Sequence, residues 1–448
     1  MSRPNRNRPG DWLSTDHEAI RKWVLKLKAK AADTAEADYI PPIKALQATV
    51  EANALLKAAT EAMFVEALAY AKDEPTGAPA VQSWDEFLKL LNAVMTTSPE
   101  FMVDTGNDEA QGLVGFPINA LLDWPMGTAS GVTVFQDATF NAAMKDVLAY
   151  WGRFLTTEPS RYVLAEGDAT SDPETIAWLS DPAKAQMVAV AQQPFSDPPS
   201  GQTFEDIFAV PDPSDASYLG YRSWDDFFTR IFKDGQRPIG DAPIVNACES
   251  APLQVKTGVA LEENIWAKGQ PYSLHDMLNG DPLASQFEGG TVYQAFLSAL
   301  SYHRWNSPVD GVIEKTAVVD GSYYLESPWE GIYSDDADPS APNASQPFIT
   351  SVATRGIIFI RADDPAIGLM AIVPVGMAEV SSCEITVKKG DTVKKGDQIG
   401  MFHFGGSTHC LIFRPGVELE FLVPVTDKPN LDATNVAVKS NLARVKSS

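Results

Sequence analysis

The sequence predicts an α+β protein in which a helical N-terminal half precedes a β-rich C-terminal half. Three observations carry this. Over roughly the first 195 residues the apolar positions recur every three or four residues, the helical period. Prolines then crowd a polar stretch, at Pro194, Pro198, Pro199, Pro211 and Pro213, which reads as a linker. Beyond it, apart from a helical-looking stretch over 223–232, the segments are short, rich in Val and Ile, and separated by Gly, Pro and Asp. The expected organisation is a flexible tail over 1–10, a helical domain over 11–195, a linker over 196–216 and a β-rich domain over 217–448.

Taken in order, Asp16 and Glu18 can open a helix through Trp23, Val24 and Leu27, with acidic residues at its positive end. Pro41-Pro42 punctuates. In the alanine-rich segment 43–72, Ala45, Ala48, Ala52, Leu55, Ala59 and Met63 fall at helical spacing and predict one buried face. Ser83 before Trp84-Asp85-Glu86 is an N-cap signature, and a further helix is expected over 141–155 with Met144, Val147, Leu148 and Trp151. No catalytic constellation occurs in this half, which reads as a scaffold or lid.

Bulk properties narrow the function. The 448 residues carry a formal charge of −24 with 44% hydrophobic and 21% charged residues, ordinary for a globular protein. Such an acidic chain is repelled by nucleic acid and by anionic membrane surfaces, so neither is expected as a partner. Cys248, Cys383 and Cys410 are too few and scattered for a disulfide framework or a cysteine metal site. The N-terminus has Arg3, Arg6 and Arg8 but no apolar run, and the longest apolar stretch, 367–380, is broken by Pro374. No secretory signal or membrane span is expected, and a cytoplasmic setting follows. His17, His275 and His403 do not fall at a transition-metal spacing. The acidic insertion between Ser327 and Gln346, with Asp335, Asp336 and Asp338, reads as a solvated loop, a lid, or an oxygen-rich Ca2+ site.

The sharpest local feature is Phe402-His403-Phe404-Gly405-Gly406-Ser407-Thr408-His409-Cys410. Two glycines free the backbone and leave the Gly406 carbonyl unshielded beside the Ser407 hydroxyl, between two apolar runs. Gly-Gly-Ser by itself is compatible with a plain β-turn. Just upstream, Val387-Lys388-Lys389-Gly390-Asp391 recurs as Val393-Lys394-Lys395-Gly396-Asp397, which resembles the hairpin turns of a lipoyl-type sandwich. Neither lysine pair has the setting of a carrier lysine, so the repeat reads as structural.

Four segments together carry a family resemblance. Phe227-Phe228-Thr229-Arg230 with Arg237-Pro238-Ile239, Lys268-Gly269-Gln270-Pro271-Tyr272-Ser273-Leu274, Tyr302-His303-Arg304-Trp305-Asn306-Ser307-Pro308-Val309-Asp310-Gly311 and Gly406-Ser407-Thr408 resemble, in order and spacing, the motifs of phosphatidylserine decarboxylases. The match covers about 221–437. Ala247-Cys248-Glu249-Ser250, standing where the lipid enzymes carry Pro-Ala-Asp-Gly, and the Gly405-Gly406-Ser407 form are similar to a soluble fungal subgroup. That subgroup, of the psilocybin-pathway L-tryptophan decarboxylase type, acts on free aromatic amino acids. The resemblance implies a phosphatidylserine-decarboxylase-like catalytic domain, with the lipoyl-like sandwich near its C-terminus.

It also implies a cofactor made from the chain itself. Ser407 attacks the Gly406 carbonyl, the resulting ester eliminates, and hydrolysis leaves a pyruvoyl group at residue 407. The products are a β chain, 1–406, and an α chain, 407–448. The new ketone condenses with a substrate amine as a Schiff base and accepts the electron pair left when CO2 departs. His303 matches the family histidine tied to decarboxylation. Glu249 matches the acidic member of the processing triad and is expected either to orient a histidine or to be structural. Asn306 stands where the family carries the processing base, and an amide cannot take a proton. His409, two residues from Ser407 and so on the same side of a strand, is one replacement; His303 is the other. The expected function is self-processing, pyruvoyl-dependent decarboxylation of a free aromatic L-amino acid, with tryptophan the leading substrate. A phosphatidylserine decarboxylase and a processing-dead binding relative are the alternatives.

Overall fold

The computed structural model describes residues 17–71, 76–102, 113–114, 116–166, 175–327, 329, 344–379, 382–405 and 407–446. The tail over 1–10, the aspartates Asp335, Asp336 and Asp338, and the scissile Gly406 lie outside the described residues.

The helical half is built as the spacing requires, with one correction. His17–Ala31 buries Trp23, Val24 and Leu27. Ser83 accepts the Glu86 N–H at 3.2 Å and starts Trp84–Val94, and Ala138–Leu155 buries Met144, Val147, Leu148 and Trp151. The alanine-rich segment is not one helix. Asn53 accepts the N–H groups of Leu55 and Leu56 and so begins a second helix, Ala54–Ala67, after Pro41–Glu51. Of the expected stripe Met63 is buried, but its alanines and Leu55 do not make the buried face. Ile43, Leu46 and Val50, then Leu56, Met63 and Phe64, turn inward, and Leu55 is 83% exposed. A large aliphatic side chain removes more apolar area from water than an alanine, so it decides the orientation.

The C-terminal half is organised on a seven-stranded antiparallel sheet. Its order is Thr392–Val393, Gly311–Val319, Arg355–Ala362, Leu369–Gly376, Ser407–Phe413, Gly290–Leu297 and Ala251–Val259. Both faces are covered. Ala371, Val373, Cys410 and Ile412 face the helices, in one core that also holds Ile20, Leu46, Leu91 and Leu148. Met370, Ile372, Leu411 and Phe413 face a second core. Two three-stranded sheets accompany that core, Cys383–Ile385 with Gln398–Phe402 and Arg304–Asn306, and Leu419–Phe421 with Asn441–Val445 and Ile244–Val245. The lysine repeat makes two turns in which Asp391 and Asp397 accept the N–H groups of Lys388 and Lys394, with Gly390 and Gly396 at φ +91° and +89°.

The stretch 196–216 does not run free. Thr203 caps Phe204–Ile207 in a capping box, and Phe208–Ala209 pairs with Ile231–Phe232. The helical-looking stretch 223–232 is accordingly shorter, Trp224–Phe228 followed by that strand. Because the first core is continuous across both halves, the structure predicts a single cooperative unfolding transition by calorimetry. Residues 217–448 expressed without the helices should fail to give a dispersed NMR spectrum, since the sheet's helix-facing side would be bare.

Candidate active site

The antiparallel registers gather the sequence motifs at one end of the large sheet. Ser407 pairs with Gly376 on one side and Leu297 on the other. Arg355 pairs with Val375 and Val319, and Ala251 pairs with Phe296. Just past these positions the chain carries Glu249 before Ala251, His303 after Leu297, Glu379 after Gly376, and Tyr323 and Tyr324 after Val319. The helical half closes this end. Phe404 meets Trp151 edge-on at 5.7 Å and lies so close to Gly152 that an added Cβ would sit 2.4 Å from its ring. Phe135 packs on Tyr324 at 5.8 Å, and Asn141 Oδ1 accepts the Tyr323 N–H at 2.9 Å.

Ser407 is 1% exposed, and its hydroxyl has no hydrogen-bond partner among the described residues. The backbone before it is strained, with Phe404 at φ +34° and Gly405 at φ +133°. His403, one residue earlier, is clamped between Asp225 at 3.0 Å and Glu384 at 2.8 Å. Burial alone would lower its pKa, but the two carboxylates raise it above the ordinary histidine value.

His303 is fully buried and stacks on Phe228 at 4.0 Å. Burial, then the Arg230 guanidinium, hold its pKa well below the usual range, against a backbone hydrogen bond at Ser298. It is therefore neutral at physiological pH. His409 lies on the same strand face as Ser407, as its parity requires, with its ring edge-on to Tyr293. Neither of its nitrogens bonds another side chain, Ser407 included, and burial pushes its pKa down to about 3. Asn306 donates its side-chain N–H to the Gly396 carbonyl at 2.8 Å, and its Oδ1 is buried without a partner.

Glu249 holds an arginine, not a histidine. Arg237 donates Nε–H to its Oε2 at 2.9 Å and Nη2–H to its Oε1 at 2.7 Å, and Val438 donates its N–H to Oε2 at 2.8 Å. Both side chains are buried, at 3% and 1% exposure. The motif arginines thus have distinct tasks. Arg237 neutralises Glu249, and Arg230 grips the Leu300 and Ser301 carbonyls leading into His303.

Two features escaped the sequence. One is a buried polar chain. Gln254 donates to Tyr272 Oη at 2.7 Å, Tyr272 donates to Gln294 Oε1, and Gln294 donates to Thr408 Oγ1 at 3.1 Å. It ties the Gln-Pro-Tyr motif to the residue after Ser407. The other is Glu379, buried at 0% exposure within what reads as an apolar run. A lone acidic residue closing that run was the available signal. Among the described residues no cluster of His, Cys, Asp and Glu could hold a metal ion, so nothing here supports the Ca2+ expectation.

Removing one partner of a buried ion pair strands the other charge. Arg237→Leu should therefore lower unfolding free energy by about 3–5 kcal/mol in urea titration, while Arg237→Leu with Glu249→Leu recovers much of the loss.

The chain matches the family described as phosphatidylserine decarboxylase over residues 224–435 and a second family of the same description over 40–187. It is 39% identical over 370 residues to decarboxylase iboD of Amanita muscaria, covering 80% of this chain and 99% of that one. It is 30% identical over 440 residues to the L-tryptophan decarboxylase of Psilocybe cubensis, covering 95% and 93%. Phosphatidylserine decarboxylase proenzyme 3 of Schizosaccharomyces pombe is 28% identical over 202 residues, 44% of this chain and 19% of that one. A buried serine on a strained loop, a neutral buried histidine and these kinships agree: the chain is a decarboxylase belonging to the phosphatidylserine decarboxylase family.

Proposed function

We propose that this chain cleaves itself before Ser407, forms a pyruvoyl group there, and decarboxylates a free aromatic L-amino acid, with L-tryptophan the leading substrate. The observation that carries the reading is the Ser407 hydroxyl, buried and unpartnered beside a backbone held at positive φ. A positive φ at a residue such as Phe404 costs on the order of 1–3 kcal/mol, which opening the chain would relieve. The donor set fits the group, because residue 407 begins a strand paired on both edges and its carbonyl stays fixed after the preceding chain is released.

Once formed, the ketone and its neighbouring amide would supply an electron sink for the pair left by departing CO2. The chain's own residues do the rest. The helical half excludes water, which strengthens every charge interaction at the sheet end. His303, neutral and fixed by Phe228, can accept a proton generated beside it. The kinship to an L-tryptophan decarboxylase supports an aromatic substrate. The formal charge of −24 disfavours approach to an anionic lipid surface.

Asn306 favours a second reading, a relative that never cleaves. An amide cannot serve as the base, and His409, with a conjugate acid near 3, is a weak one. Intact mass of the denatured protein separates the two: the decarboxylase reading requires a β chain ending at residue 406 and an α chain beginning with the modified 407. Ser407→Ala should remain a single inactive chain. Asn306→His should speed cleavage. His409→Ala should slow it if His409 is the base, and His303→Ala should block it if His303 serves both steps. The purified enzyme should release CO2 from L-tryptophan without added pyridoxal phosphate and be inactivated by hydroxylamine. Efficient turnover of phosphatidylserine vesicles, with none of L-tryptophan, would overturn the substrate assignment.

A further inference from the structure

Glu379 is a carboxyl that the fold treats as only half of a structural group. Its Oε1 accepts the N–H groups of Ile118 at 2.7 Å and Asn119 at 2.8 Å, at the start of the ten-residue helix Pro117–Met126. Its Oε2 is buried and has no partner among the described residues. A carboxyl kept only to anchor a helix would be expected to satisfy both oxygens, because an orphaned buried oxygen costs about 1–3 kcal/mol. The Tyr324 hydroxyl and the Asn119 side-chain oxygen are also buried and unpartnered. Glu379 follows Gly376, the strand partner of Ser407, by three residues. The chain turns between them at Ala378, with φ +53°, so Glu379 stands at the sheet end where residue 407 is presented.

We propose that Glu379 is the acid of the reaction, delivering the proton from its Oε2 to the substrate α-carbon after CO2 has left. The inference rests on the decarboxylase reading given above. As the bonding pair returns to the α-carbon, a C–H bond forms there and the Glu379 O–H bond breaks. The resulting carboxylate is stabilised by the Ile118 and Asn119 N–H groups at the positive end of the helix. Glu379 regains its proton from the ammonium group of the next amino acid, which must shed one before its nitrogen can attack a ketone. The product amine takes up a proton from water on release, which balances the cycle.

Burial pushes the pKa of Glu379 up to about 8, against backbone donors that pull it down. The groups acting on it are the backbone N–H groups of Ile118, Asn119 and Glu379 itself. The titratable neighbour is Tyr324, whose own pKa burial, and then Glu379, raise well above the ordinary tyrosine value. The neutral form is the donor, so kcat should hold at lower pH and fall as pH rises through about 8.

Glu379→Gln tests this, since the amide oxygen still accepts from Ile118 and Asn119. The variant should cleave into two chains like wild type yet form tryptamine slower by on the order of 10²–10⁴-fold, without the alkaline limb. In heavy water the wild type should place deuterium on one face of the α-carbon, and the variant should lose that preference. Part of the variant's α chain should come to begin with alanine in place of the pyruvoyl group. This follows when the proton lands on the prosthetic carbon instead, and hydrolysis then leaves the nitrogen there and frees the substrate as an aldehyde. Wild-type kcat with single-faced labelling would overturn the proposal, as would a folded Glu379→Gln that fails to cleave. If the glutamine variant does not fold, Glu379→Asp decides: a lowered kcat that keeps the alkaline limb supports the proposal, and an unchanged kcat overturns it. A wild type that never cleaves refutes the parent reading, an outcome visible by mass before any variant is made.

Discussion

The seven-stranded sheet has one end that must be kept dry, and the helical half of the chain exists in a form that closes it. Apolar side chains alone do not fix that closure. The Pro117–Met126 helix aims two backbone N–H groups at a carboxyl rooted just beyond a sheet strand, so a directional contact sets the position of the helices over the sheet end. Around it the aromatic contacts of Phe404 with Trp151 and of Phe135 with Tyr324 fill the seam. Because this seam belongs to the same core as the sheet, these helices cannot be loosened without disturbing the strands beneath them.

Buried polar groups at this end of the sheet differ in how fully they are paired. Glu249 has donors on both oxygens, from Arg237 and Val438. The hydroxyls of Ser407 and Tyr324 and one oxygen of Glu379 have no partner among the described residues. Unsatisfied buried polar atoms weaken a fold, so each of these bare oxygens is a place where stability has been given up. The thiols of Cys248 and Cys410 have pKa values raised by burial, which keeps them as unreactive packing groups.

Much of this was legible in the sequence, for physical reasons that differ by residue. Ser83 as a cap and the Trp23, Val24, Leu27 stripe are local signals, and local signals survive folding. The four motifs were legible as a set because each is a short run, and the structure explains their company: Phe228 stacks on His303, and Arg230 holds the backbone that leads to it. The alanine stripe misled, since period alone does not say which of two apolar faces is larger. The pairing of Arg237 with Glu249 was invisible because no helical or strand period links them, and the chain from Gln254 to Thr408 because Gln294 and Thr408 lie on strands distant in sequence. Glu379 was hidden for another reason. A single acidic residue at the end of an apolar run looks like the point where a strand meets water, and here the chain instead turns back beneath a helix.

The strand that begins at Ser407 is hydrogen-bonded on both edges to segments that precede it, and Asn441–Val445 is likewise seated beside Ile244–Val245. A cut before Ser407 would leave these segments in place while removing the covalent tether that first brought them there. An uncut chain that loses its shape can refold by closing a loop, a cost that grows slowly with loop length. A cut one must find its missing strand by diffusion, and its recovery depends on concentration. Maturation would then act as a one-way valve: each molecule gets a single opportunity to assemble its sheet, and the mature enzyme persists by unfolding slowly rather than by refolding well.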